Sequence, residues 1–277
     1  MKTAFTYIHF AAAMLALISL SGCRKEEGYA GNGGTGGGTE EEKPEVIVPE
    51  APEEIVEGNV FVVDFFSDLE GGSGFFDTRD WNLAAGHILA QSGKRPVVYM
   101  FDGTGFSAGE VNPALRIANN VKGNAFFAQS EATSDHVDGT GIVTLYQISD
   151  YDGMVSGSTF MSGCTIPVPL TKSTPICIFT STISSAEDVS AILAEGKSRL
   201  YYDAVLVGTV SNGAREEVEK YLQEDGGMIR YTFHETEGKS SSLAVIVPAS
   251  FVCRDISFMD VSGFPCYRVS VEKLEQL

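Results

Sequence analysis

The sequence predicts an α/β domain in which two β-sheets pack face to face and helices flank them. Three observations point there. Asn59–Phe66, Pro96–Asp102 and Tyr202–Gly208 are continuous apolar, β-favouring runs, the pattern of strands covered on both faces. Helix-type periodicity falls between such runs, so that strand, helix, strand reads as a crossover unit. The pattern comes in two halves, each with helices to one side of its strands, and stacking the halves buries both apolar sheet faces.

The elements follow in order. Asn59–Phe66 is the first strand, and a glycine turn follows at Gly71-Gly72-Ser73-Gly74. Asp77 or Thr78 is suited to cap a helix running to Gln91, with Trp81, Ala85, Ile88 and Leu89 on its apolar face. Pro96–Asp102 is the next strand, followed by strands about Asn124–Ala128 and Gly141–Ile148. Cys164–Pro169 and Pro175–Phe179 form a hairpin around Leu170-Thr171-Lys172-Ser173. Ser184-Ser185-Ala186-Glu187 has the form of a capping box, ahead of a helix carrying Val189, Ile192 and Leu193. Tyr202–Gly208 is a buried strand, and Asn212 starts a helix through Leu222. Leu243–Ser250 and Ser262–Val271 close the chain as a strand pair.

Before this domain, assigned to residues 58–277, lie two segments of different chemistry. Residues 1–22 have a short basic start, Met1-Lys2, and an apolar stretch, Phe10–Leu20, too short to span a bilayer as a mature helix, which reads as an export signal. It ends in Leu20-Ser21-Gly22-Cys23, which resembles a bacterial lipobox, so Cys23 is the expected site of lipidation. The alternative is a plain secretory signal with an incidental cysteine. Arg24-Lys25-Glu26-Glu27 resembles the signal that sends Bacteroidetes lipoproteins to the cell surface. The chain is therefore expected at the outer membrane, lipid-anchored and facing outward. Residues 23–57 are rich in Gly, Glu and Pro and poor in large apolar groups, the composition of a tether. With ten acidic and three basic residues, the tether carries a charge of about −7 out of the chain's −18. The rest is also acidic, which argues against sequence-independent nucleic-acid binding, where clustered Lys and Arg are needed.

The closing stretch, Leu243-Ala244-Val245-Ile246-Val247-Pro248 running on to Ser262-Gly263-Phe264-Pro265-Cys266-Tyr267-Arg268-Val269, resembles the end of the endonuclease/exonuclease/phosphatase family, where a "DYILVS" strand leads to "SDHYPVVVEL". The resemblance extends to the element order of nearly the whole domain. It implies the two-sheet sandwich of that family and, where the family's site is intact, Mg²⁺-dependent phosphodiester hydrolysis. Position by position, the implied site is altered. Phe66 stands at the place of the asparagine that ends the first strand, and Asp102 at that of the metal-binding glutamate. Thr182 replaces the phosphate-contacting histidine. In Gly208-Thr209-Val210-Ser211, Thr209 replaces the aspartate that prepares the attacking water and Ser211 the asparagine. Gly263 and Phe264 replace the terminal Asp-His pair.

Holding Mg²⁺ needs oxygen ligands, and activating water needs a group that takes up charge or a proton; threonine, glycine and phenylalanine do neither. The resemblance thus implies a cleft lined by Asp102, Thr182, Thr209 and Phe264, with Phe66 and Ser211 beside it, and no catalytic residue, metal or cofactor. Its expected role is a binding module for a glycan, a peptide or another surface protein. The rival is an enzyme: a divergent Mg²⁺-dependent phosphoesterase using Asp102 and nearby acids, or another hydrolase. Three or more carboxylates converging in one cleft would favour the enzyme, and a cleft floored by Phe66 and Phe264 would favour the binding module. A third possibility is a structural subunit of a surface complex.

Other constellations are weaker. Ser134-Asp135-His136 spells the family's terminal triplet but precedes a mid-chain strand, and reads as a polar loop. His87, in an apolar helix, and His234, at the end of a strand, lack partners at metal-ligand spacing. Asp64, Asp68, Asp77 and Asp80 lack the alternation of a calcium loop and read as a solvated loop. Gly103-Thr104-Gly105 lacks the Gly-Lys-Ser/Thr of a phosphate loop and reads as a turn. Cys164, Cys177, Cys253 and Cys266 permit two disulfides, Cys164 with Cys177 and Cys253 with Cys266, or are small buried hydrophobes.

Overall fold

The computed structural model of the chain describes residues 58–70, 81–91, 97–107, 109–132, 134–148, 150–156, 159–168, 174–198, 204–224 and 227–274. The signal, Cys23, the tether, the glycine turn and Asp77, Thr78 and Asp80 lie outside them. Two six-stranded sheets face each other. The first runs, in spatial order, β11 (Phe251–Val261), β12 (Phe264–Lys273), β1 (Val60–Phe66), β2 (Val97–Ser107), β4 (His136–Thr144) and β3 (Asn124–Ala132). The second runs β5 (Asp150–Ser156), β6 (Thr159–Val168), β7 (Thr174–Ile183), β8 (Ala204–Ser211), β10 (Ser241–Pro248) and β9 (Ile229–His234). Each sheet contains one parallel pair, β1 with β2 and β7 with β8, and is otherwise antiparallel. Helices α1 (Trp81–Gln91) and α3 (Ala186–Ser198) are the crossovers of those pairs, and α2 (Pro113–Val121) and α4 (Arg215–Glu224) lie beside them.

Strand alternation sorts the core into three layers. Phe61, Val63 and Phe65 of β1 meet Ile176 and Ile178 of β7 and Val205 and Val207 of β8 between the sheets. Val62 and Phe66 of the same β1 pack outward under α1 and α2. Leu206 and Val210 of β8 pack outward under α3 and α4. Burial on both faces explains the continuous apolar runs, since each such side chain contributes roughly 1.5–3 kcal/mol.

The structure changes several expectations. On α1 the buried face is Trp81, Ala84, Ala85 and Ile88, while Leu89 is 45% exposed. The first four follow the i, i+3, i+4, i+7 stripe and Leu89 falls beyond it. Helix α2 was not anticipated; Asn112 caps it by accepting from the Leu115 N–H, and Pro113 occupies its first turn. The capping box of α3 sits one residue later than expected. Ser185 Oγ accepts from the Asp188 N–H, and the Asp188 carboxylate accepts from the N–H groups of Ser184 and Ser185. Asn212 does not start α4. Its side chain ties the end of β8 to Lys239 and Ser242 instead.

Gly103-Thr104-Gly105 is not a turn but part of β2, which continues to Ser107 past a bulge between Phe101 and Thr104. The closing strands do not pair with each other. β10 belongs to the second sheet and β12 to the first, with β11 between them in the chain. The expected Cys253–Cys266 disulfide does not form, both being free thiols, while the Cys164 side chain of the other expected pair lies outside the described residues. Cys253 packs toward the inter-sheet core and Cys266 toward the helices, so they are on opposite faces of the first sheet. Cys177 is opposite Thr165, while Cys164 is opposite Ile178.

Candidate functional site

The parallel pairs β1/β2 and β7/β8 end on the same side of the sandwich, and their inward series turn polar together at that end. After Phe61, Val63 and Phe65 the next inward position is Ser67; after Val98 and Met100 it is Asp102. After Ile176 and Ile178 the series reaches Thr182, and after Val205 and Val207 it reaches Thr209. The bulge in β2 begins at Asp102: Phe101 is opposite Gly141 and Thr104 opposite Gly139, so two residues face one. Alternation past Met100 points the Asp102 carboxyl into the space between the sheets, with the bulge opening beside it.

There the four polar groups meet. Thr182 Oγ1 donates to Asp102 Oδ1 at 3.1 Å, Thr209 Oγ1 to Asp102 Oδ2 at 3.1 Å, and Ser67 Oγ to Asp102 Oδ2 at 3.3 Å. Asp102 is 5% exposed and Thr209 fully buried. Burial pushes the Asp102 carboxyl above its ordinary range. The hydroxyls of Thr182, Thr209 and Ser67 pull it down without cancelling the shift, and the charge of Asp68 raises it further.

Three residues expected at the cleft, Asp102, Thr182 and Thr209, are thus in mutual contact. Ser67 joins them, and strand alternation past Phe65 was the signal that could have found it. Ser211 ends β8 on the same face as Thr209, paired with Ser241. Phe66 and Phe264 are elsewhere, on the helix side of the first sheet. Phe66 stacks on Phe101 at 4.8 Å between ring centroids, and Phe264 lies 5.4 Å from Trp81. The expected cleft with Phe264 in its lining, or floored by the two phenylalanines, therefore does not form. Ser262 and Gly263, both with positive φ, make the two-residue turn between β11 and β12, leaving Phe264 to start β12 facing the helices.

Mg²⁺ is held through carboxylates and other oxygen donors in octahedral geometry. Among the described residues no three His, Cys, Asp or Glu side chains converge. Asp102 is sealed, and both its oxygens accept from hydroxyls. Among the described residues the site is a single buried carboxyl ringed by hydroxyls.

The other acidic candidates separate. Asp64 is not in a solvated loop but fully buried on the helix face of β1, where Arg268 donates through Nε to Oδ1 and through Nη2 to Oδ2, both at 2.7 Å. His87 Nε2 lies 2.9 Å from Oδ2. Burial pushes the Asp64 carboxyl up, but hydrogen bonding and charge from Arg268 and His87 outweigh it and leave the pKa below its ordinary value. This is an internal ion pair closing β1 against β12 and α1. Asp68 accepts the Glu70 N–H at 2.9 Å. Ser134 and Asp135 are exposed in the bend before β4, and His136 begins that strand.

Solved structures with the same two-sheet, helix-flanked fold include three endonuclease/exonuclease/phosphatase proteins. The one from Beutenbergia cavernae is 9% identical with a TM-score of 0.53, the match covering 78% of this chain and 72% of that one. The family protein from Leptotrichia buccalis is 10% identical, TM-score 0.52, covering 76% and 99%. The protein from Bacteroides vulgatus is 7% identical, TM-score 0.52, covering 78% and 99%. No family model and no curated protein matches the sequence.

Proposed function

We propose that this chain is a binding module on an endonuclease/exonuclease/phosphatase-like fold, lipid-anchored at the outer membrane and facing outward, which no longer hydrolyses phosphodiesters. The observation that carries this reading is the state of Asp102. At the strand ends where the resemblance puts a metal-binding carboxylate, the acid is buried under three hydroxyl donors and its pKa is raised. A buried carboxyl whose two oxygens already accept from three hydroxyls offers a cation little, and no hydroxyl of the cluster can serve as a base near neutral pH. The cluster instead ties the two sheets together, joining Asp102 at the β2 bulge to Ser67 just past β1, Thr182 near the end of β7 and Thr209 on β8.

Calorimetric titration of Mg²⁺ and Mn²⁺ into the purified chain, with a phosphodiester cleavage assay on the same sample, tests this. The expected result is neither specific binding nor turnover. Metal-dependent turnover that disappears in Asp102→Ala would overturn the reading and restore a divergent phosphoesterase.

A further inference from the structure

Beside the closed cluster is an open groove of about 470 Å³, between the β9–β10 loop and the ends of β11 and β12. One wall is aromatic and apolar. Phe258, on β11, is 59% exposed, its ring centroid 5.4 Å from that of Tyr267, with Pro265 next to them. The other wall carries Asp68, Glu235 and Glu237, with Thr236 hydrogen-bonded to the Tyr267 hydroxyl at 3.2 Å. Two basic residues also line the groove: Lys239, whose Nζ donates to Glu70 at 2.8 Å and whose charge also acts on Asp68, and His234, its ring centroid 5.9 Å from that of Tyr267. Glu235 is likewise paired, with Arg215. The lining therefore holds carboxylate charge in excess next to an exposed aromatic face.

This combination disfavours a phosphate and suits a cation, because a desolvated guanidinium or ammonium gains from the ring face and the carboxylates together. The chain shows the same solution at the next side chain along, where Arg215 lies 5.5 Å from the Phe233 ring centroid and pairs with Glu235. We propose that the groove receives an arginine or lysine side chain from a basic segment of a partner protein, its cation between Phe258 and the carboxylates of Asp68 and Glu237. The inference deepens the binding-module reading and rests on it. The acidic balance of the whole chain, −18, would speed the encounter with such a segment.

The test uses the full chain and a blocked Gly-Arg-Arg-Gly peptide in calorimetry, with a citrulline-for-arginine peptide of the same shape and a neutral disaccharide as comparisons. Expected are binding of the arginine peptide, at least tenfold weaker binding of the citrulline one, and no binding of the disaccharide. Raising salt from about 20 to about 200 mM should weaken the arginine peptide, as screening requires. Phe258→Ala and Glu237→Gln should each weaken it about threefold. Both positions are exposed, and unchanged thermal melts would show that both variants fold. Equal affinity for the citrulline peptide, insensitivity to both substitutions, no binding at millimolar peptide, or binding of the disaccharide instead would each overturn the proposal. The phosphodiester assay on the same samples separates the two readings. Turnover counts against the non-hydrolytic domain whatever the peptide does, and absent peptide binding without turnover removes only the groove's ligand.

Discussion

Asp64 and Asp102 are both buried carboxylates, yet their environments move them in opposite directions, and the pH dependence of stability should separate them. Asp102 titrates above its unfolded value, so its contribution is fully present below the unfolded pKa, near 3.9, and is lost as pH rises through the folded pKa. Asp102→Asn keeps an acceptor for the hydroxyls and removes that loss. It should be at least as stable as the parent near pH 7 by urea unfolding, and its advantage should shrink toward about pH 4. Asp64 titrates below its unfolded value, so its contribution is present above the unfolded pKa and lost as pH falls through the folded one. Asp64→Asn breaks the pairing with Arg268 and should cost about 2–3 kcal/mol near pH 7, less than for a fully buried pair because Arg268 keeps part of its surface in water. A stability loss for Asp102→Asn at neutral pH, or none for Asp64→Asn, would contradict these assignments. The family resemblance singled out Asp102, Thr182 and Thr209, which the structure brings into contact around the Asp102 carboxyl. The sequence hid Ser67 and the Asp64–Arg268 pair. The first is one residue out of phase with Phe66, and the second joins positions 204 residues apart.

At the scale of elements, the parallel pair β7/β8 holds half of the cluster and is unusually close-set at one point. A Cβ on Gly208 would come within 2.1 Å of the Ser181 carbonyl oxygen, a backbone atom that cannot rotate away. Thr182 and Thr209 follow immediately on the two strands and are opposite each other. Gly208→Ala should therefore force the strands apart, costing about 2 kcal/mol or more in urea unfolding. A variant as stable as the parent would show that the approach is not required. Such contacts cannot be seen in a sequence, where Gly208 resembles any strand glycine. The buried strands β1, β8 and β10 were legible because burial on both faces leaves an unbroken apolar run. β11 was not, because on this edge strand exposed Arg254, Asp255, Ser257 and Asp260, with a bulge between Cys253 and Asp255, break up its apolar residues. Helix α2 did carry a signal, Asn112-Pro113 before Ala114, Ile117, Ala118 and Val121, a capping residue and a first-turn proline ahead of an apolar stripe.

For the whole molecule, the sandwich supplies an assembled domain, and the proposed location depends on chemistry that precedes it in the chain. If Leu20-Ser21-Gly22-Cys23 is processed as a lipobox, the mature chain begins at Cys23 and carries diacylglycerol on that thiol with a further acyl group on the new amino terminus. One acyl chain gives marginal, reversible membrane attachment, whereas several give stable anchoring. The segment 23–57 then supplies the distance between bilayer and domain. Mass analysis of the amino-terminal peptide from chain purified out of membranes tests the anchor directly. A peptide starting at Cys23 with the added mass of acyl chains is expected, together with partition into detergent. Cys23→Ala should remove the lipid mass and block processing at that position. A mature terminus elsewhere with an unmodified Cys23, or fractionation of the parent chain with soluble proteins, would remove the anchor and leave a secreted binding module in its place.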